Sequence, residues 1–208
     1  MTPFEGKHSY RPVEGHGLPH DPFNAIVAPR PIGWIGTRSA DGVANLAPYS
    51  FFNALAYTPP TIGFSSQGRK DSLVNAEATG VFTWNLATRR LAERMNATSA
   101  MVGPEVDEFA MAGIATVEGG VVPAPLVWES PAAFECRVSD IVQLKTADGA
   151  AMQQWFVIGE VVAVHIENRM IVDGIYRTEA ARPILRGGGP ADYFEANESV
   201  KFRMRRPG

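Results

Sequence analysis

Apolar residues fall mostly into short runs with a period of two, punctuated by glycine and proline, and this pattern predicts strands. The segments are Ile26-Val27, Ile32 to Thr37, Ala44 to Ser50, Thr61 to Ser65, Val81 to Leu86, Phe134 to Leu144 and Trp155 to Glu167. Asp41-Gly42 favours a hairpin turn, and Thr58-Pro59-Pro60 marks another turn. A polar stretch with Asp148-Gly149 joins the two long strands. In the last of them Val157, Gly159, Val161, Ala163 and His165 alternate with Ile158, Glu160, Val162, Val164 and Ile166. Both faces are largely apolar, which predicts a central strand or one covered by a partner subunit. Helical spacing is confined to Asp71 to Thr79, Thr88 to Ala100 and a short piece around Val106 to Phe109. Strands that dominate, with few helices, predict a mainly β chain closed into a barrel.

The ends differ from this body. Residues 1–21 carry three prolines, three glycines and three of the four histidines, a composition that suits an extended arm. His8, His16 and His20 match no common ligand spacing, so no metal site is expected. Residues 22–195 form the body, and 196–208 a basic tail with Lys201, Arg203, Arg205 and Arg206, expected to be solvated or to lie over a dimer contact. A net charge of −3 argues against a general nucleic-acid binder. No apolar run approaches the roughly 20 residues that span a bilayer, and the N-terminal stretch lacks a signal-type apolar core. Cys136 is the only cysteine, which excludes internal disulfides and predicts a cytoplasmic protein with one buried structural thiol.

The run Ser65-Ser66-Gln67-Gly68-Arg69-Lys70-Asp71-Ser72 carries the candidate chemistry. It leaves the apolar Thr61-Ile62-Gly63-Phe64 segment and opens the Leu73 to Thr79 helix. Free amides in a first helical turn attract an anion, and adjacent cations add charge-assisted bonds. Two readings stand at this point: a phosphate cradle, or an ordinary helix start capped by Asp71 or Ser72.

A family resemblance rests on an ordered set of segments. They are Ala28-Pro29-Arg30-Pro31-Ile32-Gly33-Trp34-Ile35, Gly42 to Asn53 followed by Pro59-Pro60, Lys70-Asp71-Ser72, Gly80 to Asn85, Met95-Asn96-Ala97-Thr98, Val106 to Phe109, Gly159 to Val162, His165 and Arg186-Gly187-Gly188. Together they resemble the flavin reductase-like, FMN-binding split-barrel proteins over residues 23–195. The resemblance implies a six-stranded Greek-key split barrel with a few peripheral helices, forming a homodimer with FMN at the interface. It implies FMN contacts from Asn45, Pro48, Tyr49 and Ser50, and from Ser65, Ser66, Arg69, Lys70, Asp71 and Ser72 around the phosphate. Asn85 is a further candidate, and Tyr193 could reach in from the tail. Position 72 is often threonine in this pattern; Ser72 keeps the hydroxyl.

With a flavin carrying the chemistry, no catalytic side chain is required, and the chain shows no Ser/His/Asp or paired-carboxylate constellation. No G-x-G-x-x-G follows a strand, so the expected donor, NADH or NADPH, stacks in an open cleft rather than on a Rossmann domain. Arg30 is a candidate for that cleft or a clamp on nearby carbonyls, and Trp34, like Trp84, flanks a ring or packs in the core. His165 reads as a satisfied interior histidine. Three functions follow: an NAD(P)H-dependent flavin oxidoreductase with a small-molecule acceptor, a flavoredoxin-like carrier reduced by a redox partner protein, or a non-catalytic binding barrel.

Overall fold

The computed structural model describes residues 4–207. Seven antiparallel strands make the main sheet: β1 (Gly33–Arg38), β2 (Ala44–Tyr49), β3 (Phe52–Tyr57), β4 (Pro60–Gln67), β5 (Val81–Asn85), β6 (Ala132–Lys145) and β7 (Ala151–Ile166). Their order is β2-β1-β5-β6-β7-β4-β3. The two edge strands, β2 and β3, are consecutive in sequence and joined only by Ser50 and Phe51. A two-residue link between opposite edges forces the sheet to curl until those edges meet. The amide of Ser65 donates to the Phe51 carbonyl at 2.8 Å across this corner. Gly33 allows the approach, because a Cβ there would lie 2.7 Å from the Phe52 ring. No ladder pairs β2 with β3, so the barrel is split at this seam.

The mainly β architecture with few helices is thus as expected, with one strand more than six. The extra strand, β3, is an exposed edge in which apolar and polar positions do not alternate, so its sequence carries no strand period. Two further differences concern short elements. Ile26 belongs to a helical turn, Phe23–Ile26, whose first amide is held by the Asp21 carboxylate at 2.9 Å. The Thr88 to Ala100 segment is a 3₁₀ turn, Arg89–Leu91, followed by a helix of only Ala92–Ala97. Thr88 bridges to Pro183, and the Thr98 and Ser99 hydroxyls donate to the Met95 and Asn96 carbonyls at 2.8 and 2.6 Å, which competes with helix continuation.

The barrel interior holds Ile35, Tyr49, Ile62, Phe64, Phe82, Cys136, Val157 and Val161, plugged at one end by Leu73 and Ala76 of helix α1 (Asp71–Thr79). Phe64 and Phe82 meet edge to face at 5.5 Å, and Tyr49 tilts against Phe64 at 4.7 Å. The Cys136 thiol is fully buried, and burial pushes its pKa far up. A second cluster outside the barrel, with Trp34, Leu46, Leu91, Met95 and Phe109, seats the Ala92–Ala97 and Glu108–Met111 helices. Asp107 caps the latter, its Oδ1 accepting from the Phe109 and Ala110 amides at 2.8 and 3.1 Å. Asp107→Ala should lower stability by about 1 kcal/mol in urea denaturation.

Candidate functional site

Part of the expected set gathers beside the seam between β2 and β3. On one side a cavity of about 370 Å³ is lined by Asn45, Pro48 and Tyr49 from β2, Lys70, Asp71 and Ser72 from the start of α1, the Thr98 to Val102 turn, and Glu108. Proline fits β2 because an edge strand leaves one side of its ladder unpaired. Gly68, at φ +77°, makes the turn that brings β4 into α1.

The start of α1 bears on the two readings of this run. Its N-cap position is Lys70, in extended conformation, and no side chain caps the helix. Neither Asp71 nor Ser72 serves as the cap. The amides of Leu73 and Val74 turn back to the Lys70 carbonyl at 3.0 Å, leaving those of Asp71 and Ser72 pointing out of the helix. Lys70 is exposed and forms no ion pair among the described residues. Ser72 Oγ accepts from Asn45 Nδ2 at 2.9 Å, and the same amide donates to Thr37 Oγ1 at 2.9 Å, so the two cavity elements are locked together. The Tyr49 hydroxyl is buried beside the Ser72 and Ser66 side chains, and burial pushes its pKa up. Glu108, 5% exposed, accepts the Leu46 amide on Oε2 at 3.1 Å. Burial, with Asp71 and Asp107 nearby, raises its pKa.

Other expected residues lie elsewhere. Ser50 and Ser65 border a second cavity, about 620 Å³, together with Arg30, Phe51, Phe52 and Phe156. Ser65 Oγ accepts from Gln154 Nε2 at 2.6 Å. Ser66 is buried and donates to the Gly68 carbonyl at 3.0 Å, which shapes the turn. Arg69 points along α1 to pair with Glu77 rather than into either cavity. Arg30 is the carbonyl clamp: its Nη1 donates to the Asn24 and Val27 carbonyls and its Nη2 to that of Gly187 at 3.3 Å. Burial and the adjacent Arg186 lower its pKa. Trp34 does not flank a cleft; it is fully buried, with Nε1 donating to Thr98 Oγ1 at 3.0 Å. Asn85 is equally buried, its Nδ2 donating to the Trp34 carbonyl at 3.2 Å and its Oδ1 accepting the Val127 amide at 2.8 Å. Neither lines the two cavities above. Tyr193 lines a third cavity, about 570 Å³, against the Ala92–Ala97 helix, with the Arg186 guanidinium 5.1 Å over its ring. His165 is half exposed rather than interior, and Nε2 donates to Glu135 Oε1 at 2.7 Å.

Glu108 is the cavity residue that sequence reasoning passes over. An acidic residue just after an aspartate N-cap reads as an ordinary helix start, and burial of its carboxyl depends on the packing of that helix over β2.

Residues 27–184 match the family of the flavin reductase like domain. The chain belongs to the flavin reductase-like domain family. Among curated proteins of this kind, an uncharacterised one from Halalkalibacterium halodurans is 35% identical over 187 residues, covering 87% of each chain. Among solved structures, this flavin reductase-like chain superposes on nitrilotriacetate monooxygenase component B from Bacillus cereus with a TM-score of 0.83, at 29% identity, covering 94% of this chain and 98% of that one. It also superposes on the 2-nitrobenzoate 2-nitroreductase NbaA of Pseudomonas fluorescens with a TM-score of 0.77, at 26% identity and 88% of each chain. Among the described residues no helix is long and apolar enough to cross a membrane.

Proposed function

We propose that this flavin reductase-like protein binds FMN and uses it to pass electrons from NADH or NADPH to an acceptor. The observation that carries the reading is the uncapped start of α1, with two outward amides and the unpaired Lys70 at the mouth of the 370 Å³ cavity. That donor set suits a phosphomonoester: helix-end amides, an ammonium and the Ser72 hydroxyl all favour a compact dianion. When bound, FMN supplies hydride and electron transfer. The Asp71 and Ser72 amides and Lys70 would hold its phosphate. Asn45 orients Ser72. Ser50 and Ser65, with the Arg30 clamp behind them, border the 620 Å³ space, within the size range of small-molecule sites. An open cleft there suits a second substrate that stacks directly.

A second copy of the chain is part of this proposal. Val142, Val164 and Ile166 on the long strands and Leu55 and Tyr57 on β3 are exposed, Tyr57 by 98%. Such apolar surface, on the long strands and on the β3 edge, suits burial against another subunit. The protein should sediment at about twice its 22.5 kDa chain mass, and Tyr57→Asp should shift it toward monomer.

The test is an absorption spectrum of the purified protein with added FMN, followed anaerobically by NADH and NADPH. A bound flavin bleached by either nucleotide is expected. No FMN binding in a fluorescence titration refutes the cofactor, and binding with neither nucleotide reactive refutes the donor.

A further inference from the structure

We infer that Arg30 and Arg186, with the Gly187-Gly188-Gly189 loop, form a second anion site, built for a diphosphate group. The diphosphate arrives free in solution or as the bridge of a nicotinamide dinucleotide, and only the second source rests on the donor reading above.

Strand register creates the site. Arg30–Pro31 pairs antiparallel with Ile184–Arg186, and Arg30 stands directly opposite Arg186. Directly opposed residues point to the same face of a ladder, so the two cations are neighbours, which is destabilising when nothing neutralises them. Both line a cavity of about 540 Å³ together with His20, Asp21 and the three loop glycines. This cavity shares no residue with the one at Lys70. Neither arginine forms an ion pair among the described residues. Asp21 Oδ1 is taken by the Phe23 amide at 2.9 Å. Asp192 offers Arg186 Nη1 its backbone carbonyl, at 2.8 Å, rather than its carboxylate.

Carbonyls hold both guanidiniums. Arg30 donates to those of Asn24, Val27 and Gly187, and Arg186 to those of Asp192 and Pro190. A carbonyl orients a guanidinium without cancelling its charge. Arg30 is only 8% exposed, and its Nε is buried without a hydrogen-bond partner. A buried cation with a spare donor, facing a second cation, needs an anion. Burial and Arg186 lower the Arg30 pKa, and an anion between the two arginines reverses that repulsion. A Cβ on Gly188 would lie 2.2 Å from Ala25 Cα, so glycine lets this wall of the cavity close against the Phe23–Ile26 turn. Two adjacent guanidiniums match the two phosphates of a diphosphate, because the planar fork suits phosphate oxygens. Arg30 is also a wall of the 620 Å³ space beside Ser50 and Ser65, so a dinucleotide stacked there can lay its diphosphate on the pair.

The experiment is a calorimetric titration of sodium pyrophosphate into wild type, Arg186→Gln, Arg186→Lys and Lys70→Ala, at neutral pH and constant ionic strength. Wild type is expected to bind, Arg186→Gln to bind about tenfold more weakly or worse, and Arg186→Lys to fall between them. Lys70→Ala should stay within about twofold of wild type. Absence of binding by the wild type overturns the inference, as does equal affinity in Arg186→Gln. Binding lost in Lys70→Ala instead would move the anion to the start of α1 and overturn it too. The wild-type urea midpoint is a readout independent of how the variants fold. Pyrophosphate should raise it and sodium chloride of equal ionic strength should not; equal effects of the two salts overturn the site. NADH and NADPH separate the sources. Displacement of pyrophosphate by either nucleotide assigns the site to the dinucleotide, and binding that both leave unchanged assigns it to a free diphosphate. Pyrophosphate binding without oxidation of either nucleotide refutes the donor reading and leaves the site standing.

Discussion

Glu135→Ala is expected to destabilise the protein by about 3–5 kcal/mol, read as a shift in the urea midpoint at constant slope. The Glu135 carboxylate is fully buried and accepts the amides of Gly120, Val121 and Val122 at 3.0, 2.7 and 2.6 Å, as well as His165 Nε2 at 2.7 Å. Removing it leaves three backbone donors without partners in a loop that is wrapped around the missing group. The wrap is tight, since a Cβ on Gly119 would lie 2.4 Å from the Val122 carbonyl and 2.8 Å from Glu135 Oε2. Burial alone opposes ionisation, but these donors outweigh it and the pKa is lowered. A carboxylate with a depressed folded pKa stabilises fully above its unfolded value of about 4.3. That contribution is lost as pH falls through the folded pKa. Wild type should therefore lose stability on acidification below about pH 4 more steeply than Glu135→Gln. Parallel acid curves for the two proteins would show that the carboxylate charge is not what holds the loop.

Lys70→Ala should weaken FMN binding by about 1–3 kcal/mol, roughly 5- to 150-fold in Kd, with folding stability little changed. Lys70 is exposed and unpaired among the described residues, so its removal leaves no buried group stranded. Its backbone still starts α1, and alanine is compatible with the extended N-cap conformation seen there. Lys70→Arg keeps the charge on a different geometry and should fall between the two. The wild-type affinity should also drop with salt, and the Lys70→Ala affinity less so. Fluorescence titration at two ionic strengths measures both effects. Unchanged affinity in Lys70→Ala would remove this residue from the phosphate site. Arg69→Ala is the contrasting substitution: its guanidinium pairs with Glu77, half exposed, and its loss should leave FMN affinity within about twofold.

Legibility of the site depended on how local each feature was. The turn from β4 into α1 was readable because Gly68, Lys70 and Ser72 lie within five consecutive positions and act largely through their own backbone. Arg69 belongs to the same run, but sequence adjacency says nothing of direction; two residues before the helix its side chain turns to Glu77, two turns along. Trp34 and Asn85 carried the residue types of ring and polar contacts, yet each sits on a strand covered on both faces and bonds to backbone or Thr98. Arg30 was legible as one of two alternatives, and the Asn24, Val27 and Gly187 carbonyls select the clamp. Glu108 and Glu135 were not legible as buried, because acidic residues are usually exposed and their amide partners lie 62 and 13–15 positions away in the chain.

Period-two runs, turn residues and the scarcity of helical spacing determined a mainly β chain, since these are properties of neighbouring residues. Only the tertiary structure decided that β2 and β3 become opposite edges of one sheet, and that their two-residue link curls it until a seam forms. Long-range pairing also decided which side chains that seam collects. A β ladder joins positions far apart in sequence, and no local pattern states which strand lies beside which.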